Sequence, residues 1–267
     1  MAGGLIAELK ATVLTTTENR RVAQAMFDYG MLAEGDRVLV AVSGGIDSLV
    51  LAWLLHDWQR KAPISYDVQA VHIDMQPENG RHGSRAVATA AQLTALGITC
   101  EILPAEQPVR LEEGADSAGL CHRCARNRRR QLFERARQSG CGKLAFGHHR
   151  DDIVETFFIN LTSGGNISTM RPKQELFSGR LALIRPLAYL EKEDIRAIGR
   201  RLGLEPVPAI CPLAEQTRRK EIRELLQHIY GQIPGSREQI FAALGNVRSE
   251  YLLIQKEREP CAPALTA

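Results

Sequence analysis

The chain has 267 residues, 44% of them hydrophobic, and its 34 Lys and Arg residues against 31 Asp and Glu residues give a formal net charge of +3. These values are typical of one large globular domain, or of a domain with a small appendage, and they exclude extensive disorder. The longest apolar stretch, residues 38–55, is interrupted by Ser43, by two glycines and by Asp47, so no transmembrane helix is predicted. The first ten residues lack the pattern of a secretory signal, and we expect a cytoplasmic protein that does not bind membranes.

Strand-like and helix-like segments alternate along most of the chain. Apolar runs predict four strands, at residues 37–42, 66–73, 98–103 and 143–147. Helical periodicity predicts five helices around them, at residues 17–33, 48–60, 85–96, 122–139 and 151–161. A further strand or hairpin is predicted at residues 181–184. This order predicts an α/β fold, an open and mostly parallel sheet with helices on both faces.

The pattern becomes helical from residue 191 onward. Three helices are predicted there, at residues 191–203, 215–230 and 236–256. We therefore divide the chain into an N-terminal helical segment (1–33), an α/β domain (34–190), a helical C-terminal region (191–258) and a flexible tail (259–267).

A glycine-rich loop, Ser43-Gly-Gly-Ile-Asp-Ser48, lies between the first predicted strand and the next helix. Backbone N–H groups at the start of a helix attract anions, and Gly44 and Gly45 let a ligand approach the backbone closely. The hydroxyl groups of Ser43 and Ser48 can donate hydrogen bonds to phosphate oxygens. Taken alone, the loop fits an anion site and an ordinary glycine-rich turn equally well.

A second motif changes this balance. The loop resembles the S-G-G-x-D-S signature with which the PP-loop ATP pyrophosphatases hold the pyrophosphate of ATP. Residues 146–156, F-G-H-H-R-D-D-I-V-E-T, resemble the G-H-H-x-D-D-x-x-E-T motif of the branch of that family that modifies RNA. The resemblance implies that ATP, with Mg²⁺ held by carboxylates, adenylates a carbonyl oxygen.

The residues implied for the nucleotide site lie at three predicted strand ends. Those expected to bind ATP and Mg²⁺ are Ser43, Gly44, Gly45, Asp47, Ser48, His72, Gly147, His148 and Asp152. The expected catalytic residues are Asp47, Asp74 and Asp151. By the resemblance, His72 and Asp74 border the adenine and ribose, because ligands of parallel sheets lie beyond the carboxyl ends of the strands. A solvated carboxylate at Asp74 fits the sequence equally well.

Two of the six cysteines form the pair Cys121-x-x-Cys124 at the start of a predicted helix. A C-x-x-C pair alone fits half of a zinc site, a redox dithiol or one side of an iron–sulfur cluster. The chain has no second C-x-x-C and no H-x₃-H, so a closed zinc site is disfavoured.

The full order of motifs is similar to that of the tRNA 2-thiocytidine synthetase family. The similarity covers residues 18–250 and includes Ile184-Arg-Pro-Leu187 and a cysteine, Cys211, within a proline-rich loop. It implies that Cys121, Cys124 and Cys211 hold a 4Fe-4S cluster with one iron open to sulfur. It also implies a homodimer, a tRNA substrate and a sulfur donor, either sulfide or a cysteine desulfurase.

Arginines are unusually dense on the helix that carries the cysteine pair. Such runs are usually solvated helix faces, but their position beside the cysteines favours contacts with RNA phosphates. The expected RNA contacts are Arg126, Arg128, Arg129 and Arg130. A second basic run, residues 218–220, lies near the start of a C-terminal helix.

Two positions depart from the family pattern. Ile46 stands where the loop commonly has lysine, and Ala214 stands where many members have a further cysteine. The expected function is that of an ATP-dependent tRNA sulfurtransferase that replaces the C2 oxygen of a pyrimidine, cytidine 32, with sulfur, although these departures leave the target base open. Three alternatives remain: a ligase of the tRNA lysidine synthetase type, an enzyme that thiolates a small molecule, and a non-catalytic iron–sulfur regulator that binds nucleotide.

Overall fold

The structure is a computed structural model that describes residues 13–77, 80–107, 117–208 and 218–253. Six strands form one sheet: β1 (Asp36–Ala41), β2 (Tyr66–Asp74), β3 (Cys100–Pro104), β4 (Lys143–Ala145), β5 (Lys173–Leu176) and β6 (Leu181–Ile184). They lie in the order β3-β2-β1-β4-β6-β5, and all neighbours are parallel except the hairpin pair β5 and β6. The predicted α/β fold with a mostly parallel sheet is therefore confirmed.

Eight α-helices lie among the described residues. They are α1 (Thr16–Asp28), α2 (Ile46–Trp58), α3 (Ser84–Ala95), α4 (Ser117–Gln138), α5 (Arg150–Ser163), α6 (Lys192–Arg201), α7 (Arg218–Gln232) and α8 (Ser236–Ala243). A single 3₁₀ turn follows at Ser249–Tyr251. In the part of the chain that the structure describes, no helix combines the length and the apolar character needed to cross a bilayer.

The sheet separates two apolar cores, because alternate residues of a strand point to opposite faces. Val38 and Val40 of β1 belong to one core, which also contains the buried side of α2 and Ile195 of α6. Leu39, between the two valines, belongs to the other core, with Leu132 of α4. Helices therefore cover both faces, as the continuous apolar run in β1 predicts.

The loops that carry the two motifs leave the sheet at the carboxyl ends of β1 and β4. β1 is in register with β2 from Asp36 opposite Tyr66 to Ala41 opposite Val71. On its other side β1 pairs with β4, which ends opposite Val40. The order of the strands reverses between β1 and β4, and ligands of open parallel sheets bind in the crevice at such a point.

Three predicted helices differ from the observed ones by five residues or more at one end. The first was expected to reach residue 33 but ends at Asp28, because Gly30 adopts a left-handed φ of 51° that an α-helix does not continue. The helix with the cysteine pair begins at Ser117, five residues earlier than predicted. The helix expected at residues 236–256 ends at Ala243, and a turn separates it from the 3₁₀ turn.

The chain divides into two compact units, Met1–Leu225 and Leu226–Ala267. The first contains the whole sheet. The second contains the end of α7 and all of α8, where the guanidinium carbon of Arg237 lies 4.8 Å from the ring centre of Tyr230.

Candidate active site

The loop after β1 is folded around the hydroxyl group of Ser48. This group accepts a hydrogen bond from the Ser43 backbone N–H at 3.0 Å and donates one to the Gly45 carbonyl oxygen at 2.8 Å. Gly45 is the N-cap of α2, and no side chain among the described residues caps the helix there. The first N–H groups of α2 therefore lie at an end of the helix where its dipole favours an anion.

Two glycines let the loop approach its neighbours closely. Gly44 has a φ of 85°, and a Cβ there would lie 2.6 Å from Thr89 Oγ1 of α3. A Cβ on Gly147, which follows β4, would lie 2.9 Å from the Asp47 carbonyl carbon and 3.0 Å from the Ser48 nitrogen. The two sequence motifs thus touch through backbone, in an arrangement that any side chain at position 147 would disturb.

The three predicted acidic residues of the motifs lie around one histidine. His149 Nδ1 lies 3.4 Å from Asp151 Oδ2, and His149 Nε2 lies 3.4 Å from Asp152 Oδ2 and 3.9 Å from Asp47 Oδ1. Burial opposes protonation of His149, but the three carboxylates outweigh burial and raise the pKa of the imidazole. The cluster therefore favours a positively charged His149.

The sequence analysis missed two residues of this cluster: His149, which lies within the second motif although only His148 of its two histidines was expected to bind ATP, and Lys192 at the start of α6. Its Nζ lies 2.5 and 2.7 Å from the two carboxylate oxygens of Asp47, and its backbone N–H donates to Asp151 Oδ2 at 2.9 Å. The sequence offers only a weak signal for Lys192, one lysine in a charged helix start. Its role depends on where α6 packs.

Among the described residues, no group of three or more His, Cys, Asp and Glu side chains is arranged to hold a metal ion. Lys192 occupies both oxygens of Asp47, and His149 lies between the other two carboxylates. Mg²⁺ commonly binds through one or two carboxylates together with the phosphates of its nucleotide. Asp47 and Asp151 fit a metal ion that arrives with ATP better than one that is permanently bound.

His148 is half-buried beside this cluster, with its Nδ1 shielded from solvent, and stays neutral. Burial lowers its pKa to about 4, and the charges of Arg185 and Arg219 act in the same direction, against the opposing effect of Asp152. Its ring centre lies 5.7 Å from that of Phe146. A neutral imidazole at this position can accept or donate one hydrogen bond at each nitrogen, according to its tautomer.

His72 and Asp74 lie at the end of β2, as predicted, and both are buried. His72 Nδ1 donates to the Val42 carbonyl oxygen at 2.9 Å, and burial is the main cause that lowers the pKa of His72. The two oxygens of Asp74 accept backbone N–H groups of Gly83 at 2.8 Å and Gln76 at 3.0 Å. Both side chains thus bind backbone groups of the loops that follow β1 and β2.

The cysteine pair lies one turn inside α4 rather than at its start, because the helix begins at Ser117. Cys124 is half-buried. The structure describes the backbone of Cys121 but not its side chain, and Cys211 lies outside the described residues. Burial raises the pKa of two other thiols, that of Cys100 to about 11 and that of Cys141. Those two thiols are poor candidates for metal binding, which requires the thiolate.

The four arginines predicted to contact RNA are exposed on α4. Nearer the end of the helix, Arg135 pairs with Glu101 at 2.8 Å, so part of the positive charge is neutralised locally. The second basic run, residues 218–220, is not simply a solvated helix face, because one of its arginines forms an ion pair with the second motif. Arg219 Nη1 lies 3.0 Å from Asp152 Oδ1 of α5. One helical turn later, Arg223 Nε lies 2.7 Å from Glu155 Oε1, and Glu155 is buried.

Comparison with known proteins agrees with the motifs. The sequence profile of the PP-loop domain matches residues 14–229. A protein of Xanthomonas euvesicatoria pv. vesicatoria named tRNA-cytidine(32) 2-sulfurtransferase is 39% identical over 237 residues, which are 87% of this chain and 76% of that protein. A protein of Pelobacter propionicus with the same name is 35% identical over 252 residues, 93% of this chain and 92% of that protein.

The fold is similar to that of a solved structure, the U34-tRNA thiolase NcsA from Methanococcus maripaludis with its [4Fe-4S] cluster. The TM-score is 0.67 at 21% identity, over 85% of this chain and 77% of the thiolase. The family expected from the motifs is thereby confirmed by sequence, and its fold by structure. The chain belongs to the PP-loop family of ATP-binding proteins, in the branch of the tRNA-cytidine(32) 2-sulfurtransferases.

Proposed function

We propose that the protein is an ATP-dependent tRNA sulfurtransferase that converts cytidine 32 to 2-thiocytidine. The observation that carries the proposal is the contact between the two motifs, in which Gly147 brings the His149 and aspartate cluster against the first turn of α2. That contact joins an anion site to carboxylates suited to Mg²⁺. Relatives that share most of the chain carry the name of this activity.

The reaction needs ATP because the C2 oxygen of a pyrimidine is a poor leaving group. In the first step the carbonyl oxygen attacks the α-phosphorus of ATP, a P–O bond breaks and pyrophosphate leaves. In the second step a sulfur nucleophile attacks C2, the C–O bond breaks and AMP leaves with the oxygen. Both steps build negative charge on phosphate oxygens, so catalysis depends mainly on preorganised positive groups.

The described residues divide this work between them. The N–H groups at the start of α2 and the hydroxyl of Ser43 bind the pyrophosphate. Asp47 and Asp151 would hold Mg²⁺, which would supply positive charge to the phosphates, and Lys192, now paired with Asp47, would then be available to a phosphate oxygen. His149 lies between the three carboxylates, and the positive charge that they favour on its ring would hold them in place.

Sulfur transfer takes place at the cysteine end of α4. Bound to the thiolates of Cys121, Cys124 and Cys211, a 4Fe-4S cluster would supply an open iron position for the sulfur. The half-buried Cys124 on a helix rich in arginine fits this group, because cationic surroundings favour the thiolate. The tRNA phosphates are bound beside it by Arg126, Arg128, Arg129 and Arg130. The sulfur comes from sulfide or from a cysteine desulfurase. The enzyme acts as a homodimer.

The test compares two cysteine variants purified without oxygen. Iron, acid-labile sulfide, ATP binding and thiolation of tRNA at cytidine 32 are measured for Cys124→Ala and for Cys100→Ala. We expect about four iron atoms per chain in the unaltered protein, and loss of iron and thiolation but not of ATP binding in Cys124→Ala. Cys100→Ala, which removes the thiol whose pKa burial raises, retains iron and thiolation. Thiolation at an unchanged rate by Cys124→Ala contradicts the proposal.

A further inference from the structure

Arg85, in the first turn of α3, lies against the PP-loop although no sequence motif includes it. One of its terminal nitrogens donates a hydrogen bond to the Ser43 carbonyl oxygen at 2.8 Å. A Cβ on Gly44 would lie 3.4 Å from Arg85 Nε. The guanidinium group thus lies beside the two loop residues that lead into the anion site at the start of α2.

The connection from β2 to α3 fixes this position. Asp74, buried at the end of β2, accepts the N–H of Gly83, which is the N-cap of α3. A Cβ on Gly83 would lie 2.2 Å from the Gln76 carbonyl oxygen, so the connection is close-packed. Arg85 follows two residues later, and its backbone is therefore held in place before any ligand binds.

The charge of Arg85 is not neutralised within the described part of the chain. No carboxylate there forms an ion pair with Arg85 or with Arg128, whereas Arg135 and Arg219 pair with Glu101 and Asp152. Burial, and then the nearby charge of Arg128, lower the pKa of Arg85. A partly buried arginine that has no carboxylate partner among the described residues is typical of a site that binds an anion.

The loop supplies no cation of its own. Residues 43–48 contain no Lys or Arg, and Ile46 points into the core, where its Cδ1 would lie 2.4 Å from a Cβ on Gly199. The ammonium group of Lys192 is held by the Asp47 carboxylate. Arg85 uses one of its five N–H donors on Ser43, and others remain for phosphate oxygens.

We propose that Arg85 is a phosphate-binding residue of the nucleotide site, and that it holds the triphosphate of ATP at the PP-loop. The proposal rests on the ATP dependence of the proposed function and extends it to a residue outside the two motifs. A nucleoside triphosphate is the fitting anion because Arg85 contacts the loop expected to hold pyrophosphate.

The test measures the dissociation constant of Mg-ATP by calorimetry, without tRNA, for Arg85→Met, Arg85→Lys and the control Arg196→Met. Arg196 is an exposed residue of α6 that pairs with Glu193. We expect Arg85→Met to bind ATP about tenfold more weakly, because charge-assisted hydrogen bonds are lost. Arg85→Lys keeps the charge and recovers most of the affinity, and Arg196→Met binds ATP normally.

The salt dependence of the ATP affinity shows whether Arg85 binds phosphate or only supports the fold of the loop. The ATP affinity of the unaltered protein falls with added salt more steeply than that of Arg85→Met if the arginine binds phosphate. An equal loss at low and high salt, or unchanged ATP binding by Arg85→Met, overturns the inference. Weakened tRNA binding with normal ATP binding also overturns it and assigns Arg85 to RNA. Absence of ATP binding by the unaltered protein overturns the proposed function as well.

Discussion

At the scale of single residues, the site holds charges that pair with one another. Lys192 and Asp47 form such a pair, with 30% and 26% of their side chains exposed. A partly exposed ion pair of this kind contributes about 1 kcal/mol to folding, so stability gives little reason for its geometry. The pair places an ammonium group next to the carboxylate that the proposed mechanism assigns to Mg²⁺.

We therefore predict that Lys192→Met separates function from stability. Release of pyrophosphate in the presence of tRNA should fall by about tenfold or more, since one charged contact to a developing phosphate oxygen is lost. The free energy of unfolding in urea should change by less than about 1 kcal/mol.

Arg196→Met, on the same helix, is the matched control because it also removes one cation that pairs with a carboxylate, here the exposed pair with Glu193. It should leave pyrophosphate release unchanged. Equal rates for the two variants would show that Lys192 takes no part in the reaction.

The sequence could predict that Asp47, Asp151 and Asp152 belong to one site because each lies in a motif with defined spacing. It did not identify Lys192, which is 145 residues from its partner and meets it only through the packing of α6. It did not identify Arg85 either, because Arg85 is 42 residues from Ser43 and meets it only through the packing of α3. Motifs reveal residues that are local in the chain, whereas contacts between distant helices need the fold.

At the scale of elements, the site depends on how closely the loop after β4 approaches the start of α2. Gly147 is the point of contact, with Asp47 and Ser48 backbone atoms 2.9–3.0 Å from the position of a Cβ. Periodicity predicted both helices and both strands within a few residues. It could not predict this contact, because the order of strands in a sheet is set by the packing of helices on both faces.

Gly147→Ala should push the two motifs apart. We expect a loss of unfolding free energy of about 1–3 kcal/mol from the forced backbone shift, together with much weaker ATP binding. Gly142→Ala, at the other end of β4, is the control, since a Cβ there meets nothing within 4 Å. Denaturant melts and ATP titrations of both variants check this expectation, and it is contradicted if the two alanine variants bind ATP equally well.

At the scale of the whole molecule, alternation of strands and helices was sufficient to predict the fold class, and two motifs were sufficient to predict the family. The helix bounds were less predictable, because caps and glycines decide them; the helix expected at residues 236–256 stops at Ala243. The mutual arrangement of α5 and α7 was not predicted either. It depends on Arg223 reaching the buried Glu155, a pair formed by two residues of ordinary helical segments.

The stability of the whole molecule should depend on pH through its two adjacent histidines, in opposite directions. The raised pKa of His149 contributes stability that is complete below about pH 6.5 and is lost as the pH rises through the folded-state value. The pKa of His148 is lowered to about 4, so the unfolded chain takes up a proton near pH 6.5 that the folded protein does not. His148 therefore destabilises the fold progressively from about pH 6.5 down to about pH 4.

We predict that His148→Gln removes this acid-side loss. Relative to the unaltered protein, the unfolding free energy of the variant should rise between pH 7 and pH 4 by as much as about 3 kcal/mol, because each unit of pKa shift corresponds to about 1.4 kcal/mol. The carboxylates titrate in both proteins and cancel in the difference. Urea melts across this range measure it, with His228→Gln at an exposed position of α7 as the control. If both variants follow the unaltered protein in parallel, His148 is not held neutral in the fold.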